Sequence, residues 1–290
     1  MKNQQQRRAV NWREVIGMGV LLSLVAAMVY VIVVLILAPA HTQHIFERTK
    51  GDYVLMLLQC LLGIVALGLP ALLERKLEIV IPSNMMIVYT LFLYGAIFLG
   101  EVMSFYYRVP HWDTILHAFS GAMLGALGYS VVSFLNRSDG VPVELSPLFV
   151  VLFAFCFSMT IGVFWEFFEY AGDWLLHTDM QKDSVVHAIY SVMLDSTRSN
   201  KVIAVTGIQD VLINGESLGL GGYLDIGLID TMGDLFVNFV GAFTFSAYGY
   251  FYSKSKGTKN AMVNRLMLPP REGSEIPNQT DEISEEDYEN

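Results

Sequence analysis

Six stretches of this chain are long and almost continuously apolar: Val15–Leu37, Tyr53–Leu73, Met85–Tyr107, Thr114–Leu135, Leu148–Tyr170 and Leu228–Tyr252. About 20 such residues, coiled as a helix, cross the hydrocarbon core of a bilayer. The pattern predicts an all-α, polytopic bundle of about six transmembrane helices. Arg7, Arg8 and Arg13 precede the first stretch and Ala38-Pro39-Ala40 follows it, as in a secretory leader. Leader apolar regions run to about 15 residues; this stretch is longer and is read as a span. No internal repeat is visible, and the connections are short except for Ala171–Gly227. There, Val185, Val186, Ile189, Val192 and Met193 give Ser184–Leu194 a helix-like spacing. Lys201–Ile208 and Val211–Ile213, closed by Asn214-Gly215, predict a small hairpin. Gly219, Gly221 and Gly222 predict a flexible or tightly turned entry to the last helix. This small α/β-containing loop is either a cap over one membrane face or a packed connector.

Composition agrees with the pattern. Of 290 residues, 53% are hydrophobic and 16% charged, against about 25% charged in a soluble domain. An ordinary soluble enzyme, a disordered chain and a disulfide scaffold are excluded. Cys60 and Cys156 fall in apolar stretches and read as small buried residues. The net charge of −10 argues against nucleic acid, which calls for a basic footprint. Much of that charge lies in residues 271–290, with eight acidic residues, one basic residue and almost no apolar content. Such a tail is expected to be disordered. Lysines and arginines number twelve on the side of the termini and six on the other. The positive-inside rule then predicts both termini cytoplasmic. The expected order is a cytoplasmic N-terminus (1–14), helices 1–5 (15–170), an extracytoplasmic loop (171–227), helix 6 (228–253) and an acidic cytoplasmic tail (254–290).

Ionisable residues inside spans are costly and usually functional. Asp113 and His117 share a face at the start of the fourth span. Glu166, Glu169 and Asp173 share a face at the end of the fifth. Asp230, Asp234 and Asn238 form a stripe at the start of the sixth, with Asp225 ahead of it, and Glu101 lies near the end of the third. Alternating span directions bring all of them to one membrane level, expected to be the outer one. Carboxylates held together need protons, cations or partners. No Lys or Arg stands at helix spacing within the stripes, and Arg108 is the nearest in sequence. The set suits a cation: oxygen ligands for Mg²⁺, Ca²⁺ or Mn²⁺, with the histidine admitting Zn²⁺ or iron. The expected metal ligands are Asp113, His117, Glu166, Asp230 and Asp234. Glu169 or Asp173 is the candidate general base, and Glu101 and Asn238 are further polar members. The bland alternative is that these residues anchor helix ends, with Asp113 an N-cap and Asp173 hydrated. Gly121 and Gly125, on the Asp113–His117 face, and Gly241, on the Asn238 face, would let the fourth and sixth helices approach closely. His41, His44, His111, His177 and His187 read as surface residues, with His111 and His187 able to line the mouth. Trp112, Trp165, Trp174 and Tyr170 fit an interfacial belt.

The order Asp113-x-x-x-His117, Trp165-Glu166-x-x-Glu169, then Asp230-Thr231 through Asp234 and Asn238 to Gly241-Ala242 resembles the YjdF-like family of bacterial membrane proteins. It is more distantly similar to the VanZ-like proteins, which are associated with glycopeptide (teicoplanin) resistance. The resemblance covers roughly residues 15–255; the loop from Asp179 to Gly222 is longer than the family pattern. It implies a multi-pass protein of the bacterial cell membrane but no particular activity. Three functions stay open: a metal-dependent enzyme acting on an envelope or lipid-linked substrate, a cation- or proton-coupled transporter, and a non-catalytic protein binding an envelope ligand. Against the enzyme stand the missing Ser or Cys nucleophile motif and the missing phosphate-clamping Lys or Arg. Against the transporter stands the absence of charge in the cytoplasmic half of the spans. The expected partners are lipid, a lipid-linked or cell-wall ligand and a second copy of the chain.

Overall fold

The computed structural model describes residues 11–37, 50–77, 80–136 and 145–254. The Ala38-Pro39-Ala40 segment, His41, His44 and the acidic tail lie outside the described residues. Seven α-helices carry the fold: α1 (Trp12–Leu37), α2 (Lys50–Leu77), α3 (Ser83–Leu93), α4 (Phe105–Arg108), α5 (Trp112–Asn136), α6 (Pro147–Leu176) and α7 (Leu228–Lys254). A π-helical segment, Tyr94–Val102, continues α3 without a break. Among the described residues, six helices are long and apolar enough to cross a membrane, α3 counting together with its π segment.

Local chemistry sets the boundaries. Pro147 opens α6 with its ring where a helix needs no N–H, and the Ser146 hydroxyl accepts from Phe149 N at 3.3 Å. His177 ends α6 in the left-handed conformation. Pro70 lies inside α2. The start of α1 is tied to the end of α2 by a two-pronged Arg13–Glu74 pair, at 2.8 and 3.2 Å. Large apolar side chains such as Ile36, Val65 and Phe236 face outward, where acyl chains cover them.

The closest packing joins α5, α6 and α7. A Cβ on Gly241 would lie 2.1 Å from Ala118 O, and one on Gly121 would lie 2.3 Å from Asn238 O. Small residues let these backbones touch, as expected for Gly121 and Gly241, whereas Gly125 makes only ordinary contacts. Below them Tyr129, Val132, Val150, Val151, Ala154 and Phe245 form the apolar core.

The fifth span runs to Leu176, six residues past the expected end. The loop after it departs further from expectation. Ser184–Leu194 is not helical: it holds β1 (Val185–Val186), β2 (Ala188–Ser191) and a 3₁₀ turn at Val192–Leu194. Its β-branched residues favour extended backbone, and remote segments supply the partners. β1 pairs with β6 (Tyr223–Leu224) and β2 with β3 (Ile203–Thr206). The Asn214-Gly215 turn joins β4 (Leu212–Ile213) to β5 (Glu216–Ser217), not to the run before it. The loop is therefore three two-stranded ribbons, and β1–β6 closes its two ends together beside α7.

Candidate metal centre

The third and fourth spans meet in a tight turn. Ser104 (φ 61°) and His111 (φ 59°) are both left-handed and bracket the single turn of α4. This folds Tyr106 back over Gly100, where a Cβ would lie 2.4 Å from its ring. Tyr106 thereby sits near Asp113, Glu101, Glu169 and Asp234. Burial first, and those charges second, push its phenol well above the ordinary range. Trp112 donates Nε1–H to Gly95 O at 3.2 Å and packs edge-on against Phe105, fixing the entry to α5.

One turn into α5, His117 is the point where three helices converge. Its Nε2 lies 3.5 Å from Asp113 Oδ1 and 3.6 Å from Asp234 Oδ2 on α7, and its Nδ1 lies 3.9 Å from Glu166 Oε1 on α6. One ligand atom from each of Asp113, His117 and Asp234 falls within a 4.8 Å group. The two Nε2–oxygen distances, 3.5 and 3.6 Å, are long for direct hydrogen bonds. Ligands about 2.0–2.2 Å from one tetrahedral ion stand roughly 3.4 Å apart. The triad therefore has the spacing of donors that share a cation.

The carboxylates around it are buried and short of partners. Glu166, Glu169 and Asp234 are 5%, 6% and 5% exposed. Glu166 Oε2, Glu169 Oε2 and Asp234 Oδ2 have no hydrogen-bond partner among the described residues. An unpaired buried polar atom costs about 1–3 kcal/mol, and more if charged, so these three, electrostatically coupled to one another, call for protons or a cation. Glu169 is oriented by Trp165, whose Nε1–H donates to Oε1 at 2.9 Å. Asn238, 2% exposed, forms the floor. Its amide donates to Met159 Sδ at 3.5 Å, and Gly121 and Gly162 press on it from α5 and α6.

The other aspartates hold the chain that crosses the site. Asp173 is occupied by the segment after α6: its oxygens accept from Thr178 Oγ1 (2.7 Å), Met180 N (2.6 Å) and Gln181 N (2.8 Å). Asp230, one turn before Asp234, accepts from Lys182 N at 2.8 Å. Asp225 accepts from Ser184 N at 2.7 Å and, capping α7, from Ile229 N at 2.8 Å. Burial raises the Asp225 carboxyl, but these backbone N–H groups outweigh it and hold it below the ordinary range. Residues 178–184 thus form a strap pinned to both α6 and α7. Gln181 also bonds Thr231, and Gly227 (φ 84°) is the residue that lets the strap press on α7.

Three contributors have no signal in span periodicity. Lys182 arrives from the strap: its ammonium stands 5.4 Å from the Tyr107 ring centroid and bonds Asp179 O. Tyr106 arrives from the interhelical turn. Trp165, whose spacing suits a belt, also orients Glu169. Glu101 lies on the π segment, within electrostatic reach of Tyr106 and Lys182. His111 and His177 are exposed in left-handed turns, and His187 Nδ1 bonds Ile208 O at 3.1 Å.

One comparison identifies the chain's relatives. The family described as "Predicted membrane protein (DUF2238)" matches residues 20–255. The chain belongs to this family. The matched region takes in all six spans but for the first turns of α1, and every residue of the cluster. No curated protein and no solved structure matches the chain.

Proposed function

We propose that this DUF2238 protein is a metal-dependent enzyme of the bacterial cell membrane, acting on an envelope or lipid-linked substrate. The observation that carries the reading is the triad of Asp113, His117 and Asp234, ringed by buried carboxylate oxygens without partners. Asp113, His117 and Asp234 bind a divalent ion, and Glu166, 3.9 Å from the other ring nitrogen Nδ1, neighbours the set. Asp230 holds the strap and orients the first turn of α7. A bound dication polarises substrate or lowers the pKa of a bound water. Glu169, fixed at one oxygen by Trp165 and free of partners at the other, is the candidate base. Asp173, with both oxygens occupied by the strap, is a positioning residue in this reading rather than a base. The narrower YjdF-like likeness is compatible with the family and favours a bacterial envelope role, with both termini cytoplasmic and the site at the outer boundary.

Transport fits less well. Asn238 closes the floor of the site between Gly121 and Gly162, where three helices are in contact. A non-catalytic ligand-binding protein would need the same cluster only as structure. Cobalt substitution tests the metal centre on which the enzyme reading rests. Co²⁺ added to the purified protein should give a visible band characteristic of a histidine–carboxylate site, absent in His117→Ala. A featureless spectrum from folded wild-type protein would contradict the proposal.

A further inference from the structure

The sequence stripes contain no cation to receive an anionic substrate, and the structure brings one in from outside them. We propose that Lys182 recognises the phosphate-bearing part of the substrate, an inference that rests on reading the cluster as a metal centre.

Lys182 is positioned, not merely near. Its backbone N–H is fixed on Asp230 Oδ2 at 2.8 Å, and its neighbours Met180, Gln181 and Ser184 are fixed on Asp173 and Asp225. Its side chain is half-buried, with the ammonium over the Tyr107 ring and bonded to Asp179 O. It lies within electrostatic reach of Asp113 and Asp230. The ion pairs found among the described residues, Arg13–Glu74 and those of His117, do not use it. Its direct contacts are neutral, a ring and a carbonyl, while the carboxylates of Asp179 and Glu101 act on it through space.

An open metal position and an ammonium beside it suit an anion. A dication held by Asp113, His117 and Asp234 keeps an open position, as three protein ligands leave one. An oxyanion filling that position carries its remaining negative charge toward the strap, whose Lys182 N–H is bonded to Asp230, about one helical turn (roughly 5.4 Å) from Asp234. A cationic ligand would meet both the metal and the lysine as like charges. The location agrees: the third span ends at Val102 and the sixth begins at Leu228, so the strap lies at a membrane boundary, the level of lipid phosphates. A lipid headgroup and a free phosphate present the same chemistry, and the test separates them.

The experiment uses the full chain in phosphatidylcholine nanodiscs, loaded with Mn²⁺, with labelled inorganic phosphate measured by equilibrium dialysis. Competition comes from nanodiscs that also contain phosphatidic acid. Lys182→Ala should weaken phosphate binding about tenfold while Mn²⁺ stoichiometry and melting temperature stay at wild-type values. Lys182→Arg should restore most of the binding. Displacement by phosphatidic acid marks a lipid headgroup as the source; phosphate binding that it leaves undisturbed marks a free phosphate; both support the assignment. Equal phosphate binding by wild type and Lys182→Ala overturns it, as does Mn²⁺-loaded wild type that binds neither probe. Wild type that takes up no Mn²⁺ overturns the metal reading instead, and phosphate binding that still depends on Lys182 would then support this assignment alone.

Discussion

At the residue scale, the cluster can be distinguished from a structural polar core by the sign of a stability change. Asp234 is buried with no hydrogen bond to Oδ2, so in the ion-free protein its charge is a liability. Asp234→Asn should leave the melting temperature equal or higher in chelator and lose the stabilisation that added Mn²⁺ gives wild type. A metal-independent fall in melting temperature would mark Asp234 as structural. The glycines offer a second contrast. Gly241→Ala drives a methyl to 2.1 Å from Ala118 O and should cost roughly 1–3 kcal/mol of stability. Gly233→Ala, with open space at its Cβ, should be neutral or slightly stabilising by thermal melt in detergent. At this scale the chain sequence was informative about types and faces: Asp113, His117, Glu166 and Asp234 do meet. It was silent about Tyr106 and Lys182, because their positions depend on a left-handed turn and on a loop, neither of which has a period.

At the element scale, the spans are legible because a bilayer demands one thing of a helix, an uninterrupted apolar length. The strands are less so. β1 and β6 are separated by more than thirty residues in sequence, from Val186 to Tyr223, and no local pattern announces such a partner. The spacing of Val185, Val186, Ile189 and Val192 is compatible with a helix until β6 and β3 compete for the same backbone. The strap joins these elements to the spans and has its own test. Asp225 is held below the ordinary carboxylate range, so its contribution is full above about pH 3.9 and is lost only as pH falls through the lower folded value. Asp225→Ala should cost about 1 kcal/mol as a lost cap. The gap in melting temperature between wild type and variant should be constant from pH 7 to pH 5 and shrink below about 3.9. A gap that closes near neutral pH would contradict the assignment.

At the scale of the whole molecule, alternation of spans gathers the ends of the third and fifth and the starts of the fourth and sixth at one face. That is why residues far apart in sequence share one cluster. The loop lies on the same face, and its orientation is testable. In a chain lacking Cys60 and Cys156, a cysteine at Met193, 89% exposed, should react with a membrane-impermeant maleimide in intact cells. Labelling only after permeabilisation would invert the proposed orientation and carry the whole cluster to the other face with it. The most direct test of the central claim is the metal content of the purified full chain after loading with a divalent ion and removal of the excess. Elemental analysis should find about one tightly held ion per chain in wild type, as three converging ligands require. It should find almost none in His117→Ala or Asp234→Asn that elute and melt as folded protein. Folded wild type without metal, or variants that retain it in full, would contradict the account.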